Sequence, residues 1–458
     1  MSRKVFISFL GTNFYKECDY AYPDKSEKFC HTKFIQVATL DYLCSISKEE
    51  WDTDDVAYIL LTDEARQNNW KDNHTFVTEI TDSKGNAHKW EDKQQAGLER
   101  ALSDFKEEFG YDFKIRPIDI PNDDENAKWQ LFKIFSGKDE NGIDYLQSGD
   151  ELYIDVTHGF RYLPMFLLVF SNYVKFFRSI EVKHISYGNY EGRSGNVAPI
   201  VDLTKYSVLQ DWTYATRSYL ESGNSTQLVN LSKEQYPHFS DLLEKVVADF
   251  HTCRSVSIVE GTNLKELNNA LDSVTPDDIP PLLNVLSLLK SQIRQYKKTT
   301  NVFDHNNVRN GYFSAIWCFN NQMYQQAITI LQEALITDIC QRNPSLDWKD
   351  NSHDGGRNKM VRRQFNNLYY SSHPEEDTNN TQRFSWYYSG IELLYPIWES
   401  TFKVRNDLDH AGFINIYDSS ADVMSNVEKS FSMMIQILFN GQKRLTSRNG
   451  IPYIENIN

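Results

Sequence analysis

The chain has 458 residues, more than one domain usually holds, so its length predicts two or three domains. Hydrophobic residues at 40% and charged residues at 24% describe a globular protein with an ample core. The net charge of −15 argues against non-specific binding to duplex DNA, which requires many cationic contacts to phosphates.

The charge is spread unevenly along the chain. Residues 1–280 contain 30 Lys and Arg against 46 Asp and Glu, a net charge of −16, whereas the remaining residues contain 18 against 17. We therefore expect two different modules. The six cysteines have neither a CxxC pair nor the spacing of metal ligands, which predicts reduced thiols, no metal site and a cytoplasmic protein. Residues 5–10 are too few for the apolar core of a signal peptide, so none is expected.

The first part of the chain, residues 1–205, alternates segments typical of strands and of helices. A high Val, Ile, Leu and Tyr content without strict alternation predicts buried parallel strands. The predicted strands are residues 5–10, 56–62, 113–118, 151–157, 182–187 and 200–203. The predicted helices are residues 33–46, 91–108, 125–135 and 163–177. This order predicts a doubly wound α/β sheet, with the polar residues 68–93 as a surface excursion.

The most apolar of these helical segments is 163–177. It is shorter than the roughly 20 residues that a membrane span needs, and Ser171, Asn172 and Lys175 interrupt it. Pro164 suits the first turn of a helix, where no N–H partner is required. We therefore predict a buried helix and no membrane span.

Past residue 205, apolar residues three and four positions apart predict helices that continue to the end of the chain. These helices are predicted over residues 206–220, 240–251, 282–296, 324–340 and 390–408. The predicted organisation is an α/β domain over 1–205, a helical linker region over 206–305 and a helical domain over 306–458.

Two loops follow predicted strands at the edge of the sheet where doubly wound folds bind ligands. We name them the first loop and the second loop. Their residues are Gly11, Thr12 and Asn13 in the first, and Thr157, His158, Gly159, Phe160 and Arg161 in the second. The glycines permit close approach of the backbone to a ligand, and Arg161 offers a forked cation for phosphate. The alternative is a pair of ordinary turns, with His158 as a structural hydrogen bonder. The first loop is not GxGxxG, so a nicotinamide cofactor is not expected.

A second polar group lies near the C-terminus, in "WESTFKVRNDLDHAGF". Asn406 and His410 are four residues apart and share a helix face, with Arg405 about 100° round the helix. An imidazole can remove a proton from a 2′-hydroxyl, a guanidinium can stabilise a charged phosphorane, and an amide can hold the geometry. This trio therefore fits RNA cleavage without a metal. The alternative is a solvated polar face, with Asp407 and Asp409 paired to nearby cations.

The segment "KMVRRQF", residues 359–365, places three basic residues near Phe365. Such a group could contact RNA phosphates and a base. The alternative is a solvated helix face.

The two polar groups occur together, in this order, in a known family. "VFISFLGTNFY", "DVTHGFRYLP" and "ISYG" resemble the CARF sensor domain of the CARF–HEPN ribonucleases of type III CRISPR systems, the Csx-type effectors. "RNDLDHAGF" resembles their HEPN signature, and "YQQAITILQEALI" is similar to an early helix of the HEPN domain. The resemblance covers nearly the whole chain.

This resemblance implies a homodimer, which can assemble further, whose two Rossmann-like CARF domains enclose one cyclic oligoadenylate of four or six adenosines. This second messenger activates a composite HEPN site that cleaves single-stranded RNA without a metal or other cofactor. Arg405, Asn406 and His410 would then be the catalytic residues, and the two loops would line the messenger pocket. Two alternatives stay open: a non-catalytic sensor that recruits a partner, and a sensor that also degrades its own messenger.

Overall fold

The computed structural model describes residues 2–23, 25–47, 50–72, 74–75, 77–81, 87–91, 96–120, 125–158, 163–275, 279–293, 308–350, 360–377, 383–413 and 416–456. The chain divides into two compact units, Met1–Val208 and Leu209–Asn458. The first unit is α/β and the second is mostly helical, which confirms the predicted fold class. The finer boundaries at residues 205 and 305 stay a prediction.

The strands of the first unit form one large sheet and a separate hairpin, β5–β6. In chain order they are β1 (Lys4–Phe9), β2 (Cys18–Tyr22), β3 (Lys25–Thr32), β4 (Val56–Leu61), β5 (Val77–Thr81), β6 (Ala87–Glu91), β7 (Lys114–Asp119), β8 (Glu151–Asp155), β9 (Glu181–Gly188) and β10 (Val197–Asp202). All six strands predicted in this unit are present.

The helices of the first unit follow the predicted βα alternation. They are α1 (Ile35–Ile46), α2 (Asp63–Ala65), α3 (Leu98–Phe109), α4 (Glu125–Ser136), α5 (Leu163–Arg178) and the start of α6 (Thr204–Ser222), inside which the boundary between the units falls. A π-helical segment, Arg66–Trp70, continues α2.

The order of the strands in the large sheet is β3-β2-β10-β9-β8-β1-β4-β7. The five neighbours from β9 to β7 are parallel, as predicted, whereas β10 runs antiparallel to β9. The chain builds outward from β1 through β4 to β7 and then returns to the other side of β1 with β8. The topological switch point therefore lies between β1 and β8, where open α/β sheets bind their ligands.

Helices cover both faces of this sheet. Alternate residues of β1 point to opposite faces, so they pack against different helices. Phe6 packs in a core with helices α1 and α3, and Val5, Ile7 and Phe9 pack in a second core with α4 and α5. Burial on both faces explains the continuous apolar sequence of β1.

Helix α5 differs from its prediction as a buried helix. Leu167, Phe170 and Val174 are buried against the sheet. The opposite side of the helix is exposed and equally apolar, with Met165 at 73%, Val169 at 60% and Phe176 at 90% relative exposure. The apolar composition of the segment therefore serves two faces, and the described residues cover only one of them.

The second unit contains ten further helices among the described residues and one hairpin. The helices are α7 (Thr226–Ser232), α8 (Pro237–His251), α9 (Ser255–Glu260), α10 (Thr262–Asp272), α11 (Leu282–Ile293), α12 (Val308–Asn320), α13 (Tyr324–Arg342), α14 (Arg363–Ser372), α15 (Ile391–Asp409) and α16 (Ser420–Leu438). The hairpin strands are β11 (Lys443–Arg448) and β12 (Ile451–Asn456).

The helices of this unit pack closely where small or polar residues meet. Gly311 on α12 approaches Ala334 on α13 so closely that an added Cβ would lie 2.9 Å from the Ala334 Cβ. Buried Gln332 on α13 donates to the Thr401 hydroxyl on α15 over 2.9 Å. The second contact holds α15, which carries Arg405 and Asn406, against α13.

Three hairpins were missed by the sequence analysis. The prediction of helix to the end of the chain is wrong for β11 and β12, which are joined by Asn449-Gly450, both with positive φ. Asn-Gly between two extended segments is the usual signature of a two-residue hairpin turn. Strands β2 and β3 are the second missed hairpin. The third, β5–β6, ends at Glu91, where a helix was predicted to begin, and α3 begins at Leu98 instead.

Helix α11 provides a matched test of packing in the second unit, because Leu286 is buried and Leu283 is 55% exposed. Leu286→Ala is expected to lower the free energy of unfolding by about 2–5 kcal/mol, since it leaves a cavity. Leu283→Ala is expected to change it by less than about 0.5 kcal/mol. Urea denaturation followed by circular dichroism measures both, and equal effects would contradict the packing of α11.

Candidate functional site

The first and second loops lie at the carboxyl ends of β1 and β8, the two strands that flank the topological switch point. The structure thus brings the described part of both predicted loops to one edge of the sheet, at the position where open α/β sheets have their ligand crevice. Gly159, Phe160 and Arg161 of the second loop lie outside the described residues.

A buried carboxylate, Asp155, organises the start of the second loop. Its side chain accepts hydrogen bonds from the Ser8 hydroxyl over 2.6 Å, from the Thr157 hydroxyl over 2.5 Å and from the Thr157 N–H over 3.1 Å. The Thr157 hydroxyl oxygen accepts in turn from the Gly188 N–H over 2.7 Å. The ends of β1, β8 and β9 are therefore joined by one hydrogen-bonded chain.

Complete burial makes this carboxylate harder to ionise. Burial raises the pKa of Asp155 to about 6, and the bonds from Ser8 and Thr157 oppose that rise because they favour the charged form. The network therefore offsets part of the cost of a charge held away from water.

Two asparagines that the sequence analysis did not single out hold the first loop. Asn69 donates from Nδ2 to the carbonyls of Gly11 over 2.9 Å and Asn13 over 2.8 Å. Asn68 donates to the Thr12 carbonyl over 3.0 Å. Both asparagines belong to the π-helical segment that follows β4, the neighbour of β1. Their position in the sequence could have identified them. They lie a few residues beyond β4, a third parallel strand, whose end lies at the same edge of the sheet.

Aromatic rings line the space between the two loops. The Tyr15 and His158 rings lie 4.7 Å apart between centroids, and Tyr15 also contacts Phe34, the residue before α1. Gly11 is required at this point because an added Cβ would lie 2.4 Å from the Tyr15 hydroxyl. Burial lowers the pKa of His158 to about 4, so its imidazole is neutral at pH 7.

The second predicted site lies at the end of α15. Asn406 and His410 are exposed, and Arg405 is partly buried, with its Nε 3.3 Å from Asp409 Oδ2. The ion pair between Arg405 and Asp409 was among the pairings considered from the sequence, and it places a carboxylate beside the guanidinium. Helix α15 ends at Asp409, so His410 is the residue just beyond it, where its N–H still donates to the Asn406 carbonyl over 3.1 Å.

This arrangement leaves an imidazole and an amide accessible to a ligand and a guanidinium held beside them. Asp407, between them in sequence, is buried instead. The surface is open, so a phosphate can reach these groups from solvent or from a cleft formed with another molecule.

Phe365, considered as a base-stacking residue, is fully buried and stacks on Trp398 at 4.7 Å between ring centroids. It is therefore not available to a base, and that interpretation is wrong. Arg362 from the same segment forms an ion pair with Glu333, and Lys359 lies outside the described residues.

Two classes of feature are not found within the described ranges. There is no group of three or more His, Cys, Asp or Glu placed to hold a metal ion. None of the described helices is both long and apolar enough to cross a membrane.

Comparison with known proteins finds similarity in the first unit. Residues 5–191 match the family described as the CARF domain of the CRISPR system endoribonuclease Csx1. The chain is also similar to the CRISPR-associated protein MJ1674 of Methanocaldococcus jannaschii, with 24% identity over 225 residues. That alignment covers 48% of this chain and 33% of the relative, so the chain spans about a third of the relative's length.

The raised pKa of Asp155 predicts that the free energy of unfolding depends on pH. The substitution Asp155→Asn is expected to remove this dependence. The folded-state pKa of Asp155, about 6, exceeds the value of about 3.9 in an unfolded chain, so ionisation opposes folding. The stability that the protonated acid contributes below about pH 4 is therefore lost as the pH rises through about 6. Between pH 4 and pH 7 the wild-type protein is expected to lose roughly 2–3 kcal/mol relative to Asp155→Asn. Urea unfolding at a series of pH values measures this, and a difference that does not change with pH would contradict it.

Proposed function

We propose that the first unit of this chain, whose residues 5–191 match the Csx1 CARF domain family, senses a cyclic oligoadenylate in CRISPR antiviral defence, in the cytoplasm. The observation that carries this proposal is the match of residues 5–191 to that family, together with the crevice between β1 and β8. The messenger is a ring of four or six adenosines, and no other cofactor is required.

The two loops supply complementary contacts to such a ring. Asn68 and Asn69 engage the carbonyls of the first loop, and in this proposal the N–H groups of Thr12 and Asn13 bind the messenger phosphates. The Tyr15 and His158 rings provide flat surfaces for adenine. A neutral His158 adds no charge, so Arg161 is the cation of the second loop.

The acidity of the first part of the chain does not oppose this assignment. Its net charge is −16 over residues 1–280, but salt screens charges beyond about 8 Å. Affinity for the messenger therefore depends on hydrogen bonds and ring contacts within the crevice.

The helical unit, in this proposal, is a HEPN-type endoribonuclease that cleaves single-stranded RNA without a metal. His410 removes the proton of a 2′-hydroxyl, whose oxygen attacks the adjacent phosphorus while the 5′-oxygen leaves and is protonated. Arg405 stabilises the negative charge that develops on the phosphorane, and Asn406 orients the reacting groups. Asp409 is a positioning residue, because it holds the guanidinium of Arg405.

The exposed face of α5 supports a homodimer. Met165, Val169 and Phe176 form an apolar surface that the described part of the chain leaves exposed, and such surfaces mark sites of association. Helix α5 begins only a few residues after His158. A two-fold axis beside α5 therefore brings two copies of the second loop near one symmetric messenger.

A pair of histidine variants separates sensing from cleavage. His410→Ala is expected to lose messenger-stimulated cleavage of a fluorescent RNA while binding cyclic tetra- or hexa-adenylate as the wild type does. His158→Ala is expected to bind the messenger at least tenfold more weakly because it loses a ring contact, with correspondingly less cleavage. RNA cleavage assays and isothermal titration calorimetry measure the two properties.

His238→Ala serves as the control for both variants, because His238 is an exposed histidine on α8. Full cleavage by His410→Ala would remove this histidine from the mechanism. Absence of cleavage by the wild type with either ring, together with intact binding, would favour the non-catalytic sensor.

The proposed interface predicts the effect of a charge on α5. Val169→Glu is expected to convert the dimer to a monomer, because it places a carboxylate within an apolar contact. Messenger-stimulated cleavage is expected to fall with it, since two copies share each site. Sedimentation velocity measures the association state, with Leu283→Glu as a control at another exposed apolar position. A Val169→Glu protein that stays dimeric would place the interface elsewhere.

A further inference from the structure

The helical unit contains a cavity of about 600 Å³ that the mechanism above does not use. The turn between α8 and α9 contributes Cys253 and Arg254, helix α13 contributes Glu333, and the chain after α13 contributes Trp348 and Lys349. A cavity of this size lies within the range that holds small molecules or single groups of larger ligands.

This cavity borders the proposed ribonuclease site. Glu333 in its wall follows Gln332, which donates to Thr401 on α15 over 2.9 Å, and Thr401 lies four residues before Arg405. Asp409 is the partner of Arg405, at 3.3 Å. A strand with its phosphate at Arg405 can therefore continue into the cavity.

The acidic side chains of the cavity have partners of their own. Glu333 is paired with Arg362 and Glu260 with Lys349, and Asp249 accepts from the Ser257 hydroxyl over 2.5 Å. Arg254 is exposed and forms no ion pair with any carboxylate in the described part of the chain. Its guanidinium is therefore the cation at this cavity that is available to a phosphate.

Trp348 supplies the second element of nucleotide recognition. Its ring is partly exposed in the lining, with Lys349 Nζ 5.3 Å from the ring centroid. Bases of single-stranded nucleic acid stack on such rings, and each stacked base contributes about 1–3 kcal/mol. A partly exposed indole and a guanidinium in the lining of one cavity match a base and the phosphate attached to it.

We propose that this cavity is a nucleotide subsite of the RNA substrate, in which a base stacks on Trp348 and the adjoining phosphate binds Arg254. The subsite holds the strand next to the cleaved bond, so it determines affinity for RNA and leaves the chemical step to Arg405 and His410. This inference rests on the proposed ribonuclease function of the same unit.

Binding of an RNA that cannot be cleaved tests the subsite separately from catalysis. The probe is a fluorescein-labelled 2′-O-methyl RNA of ten nucleotides, titrated with the full chain in the presence of cyclic tetra- or hexa-adenylate and followed by anisotropy. Trp348→Ala and Arg254→Ala are each expected to raise the Kd for this RNA about tenfold. Trp348→Phe is expected to stay within about threefold of the wild type, because a phenyl ring still stacks.

Arg217→Ala is the matched control, because Arg217 is an exposed arginine on α6 whose partner is Glu221 on the same helix. In cleavage assays Trp348→Ala is expected to raise KM and leave kcat unchanged. Since Arg254 is exposed, its variant retains the fold and decides the question even if Trp348→Ala is unstable.

The outcomes separate the subsite from the proposed function. Unchanged Kd values for Arg254→Ala and for a folded Trp348→Ala would overturn the subsite, whatever His410→Ala does to cleavage. Weakened RNA binding in these variants, combined with full cleavage by His410→Ala, would leave the subsite standing and remove His410 from the mechanism.

Discussion

A buried carboxylate determines the geometry of the crevice at the edge of the sheet. Asp155 is fully buried at the end of β8 and accepts three hydrogen bonds from Ser8 and Thr157. Because an unpaired charge in such a position is strongly unfavourable, the ends of β1 and β8 are held where these donors can reach it. Thr157 extends the same chain to Gly188 at the end of β9. Hydrogen bonds within the chain therefore hold these strand ends in place without a contribution from a ligand.

The elements of the fold that the sequence predicted are those that follow from burial. Strands such as β1 and β4 are buried on both faces, so their apolar runs identify them directly. The hairpin β2–β3 was missed because β2, "CDYAY", alternates buried and half-buried residues and mixes polar with aromatic side chains. Helix α5 shows the converse difficulty. Apolar composition predicts that a helix face will be covered, but not whether the same chain or another copy covers it.

The candidate site was predictable to the extent that it depends on chain order. The two loops were identified because each follows a strand, and the switch point between β1 and β8 then brings them together. Asn68 and Asn69 were missed because side chains in a π-helical segment bind backbone carbonyls nearly sixty residues earlier. The pair of Arg405 and Asp409, four residues apart on one helix, could be read from spacing, whereas the burial of Phe365 against Trp398 could not.

In the proposed mechanism, the hydrogen bonds at the edge of the sheet constrain how a messenger could control cleavage. A ligand shifts an equilibrium only by the difference between its affinities for the two states, and a shift from 1:99 to 99:1 requires about 5.5 kcal/mol. Within one copy, Asn68, Asn69 and Asp155 already hold the first loop and Thr157 by hydrogen bonds, so these residues offer little difference between states. In a homodimer of the proposed kind, the distance between the second loops of the two copies is free to vary. In the proposed mechanism the affinity difference therefore arises from the match between the symmetric ring and the separation of the two crevices, one in each copy. The exposed face of α5 is the surface that sets this separation.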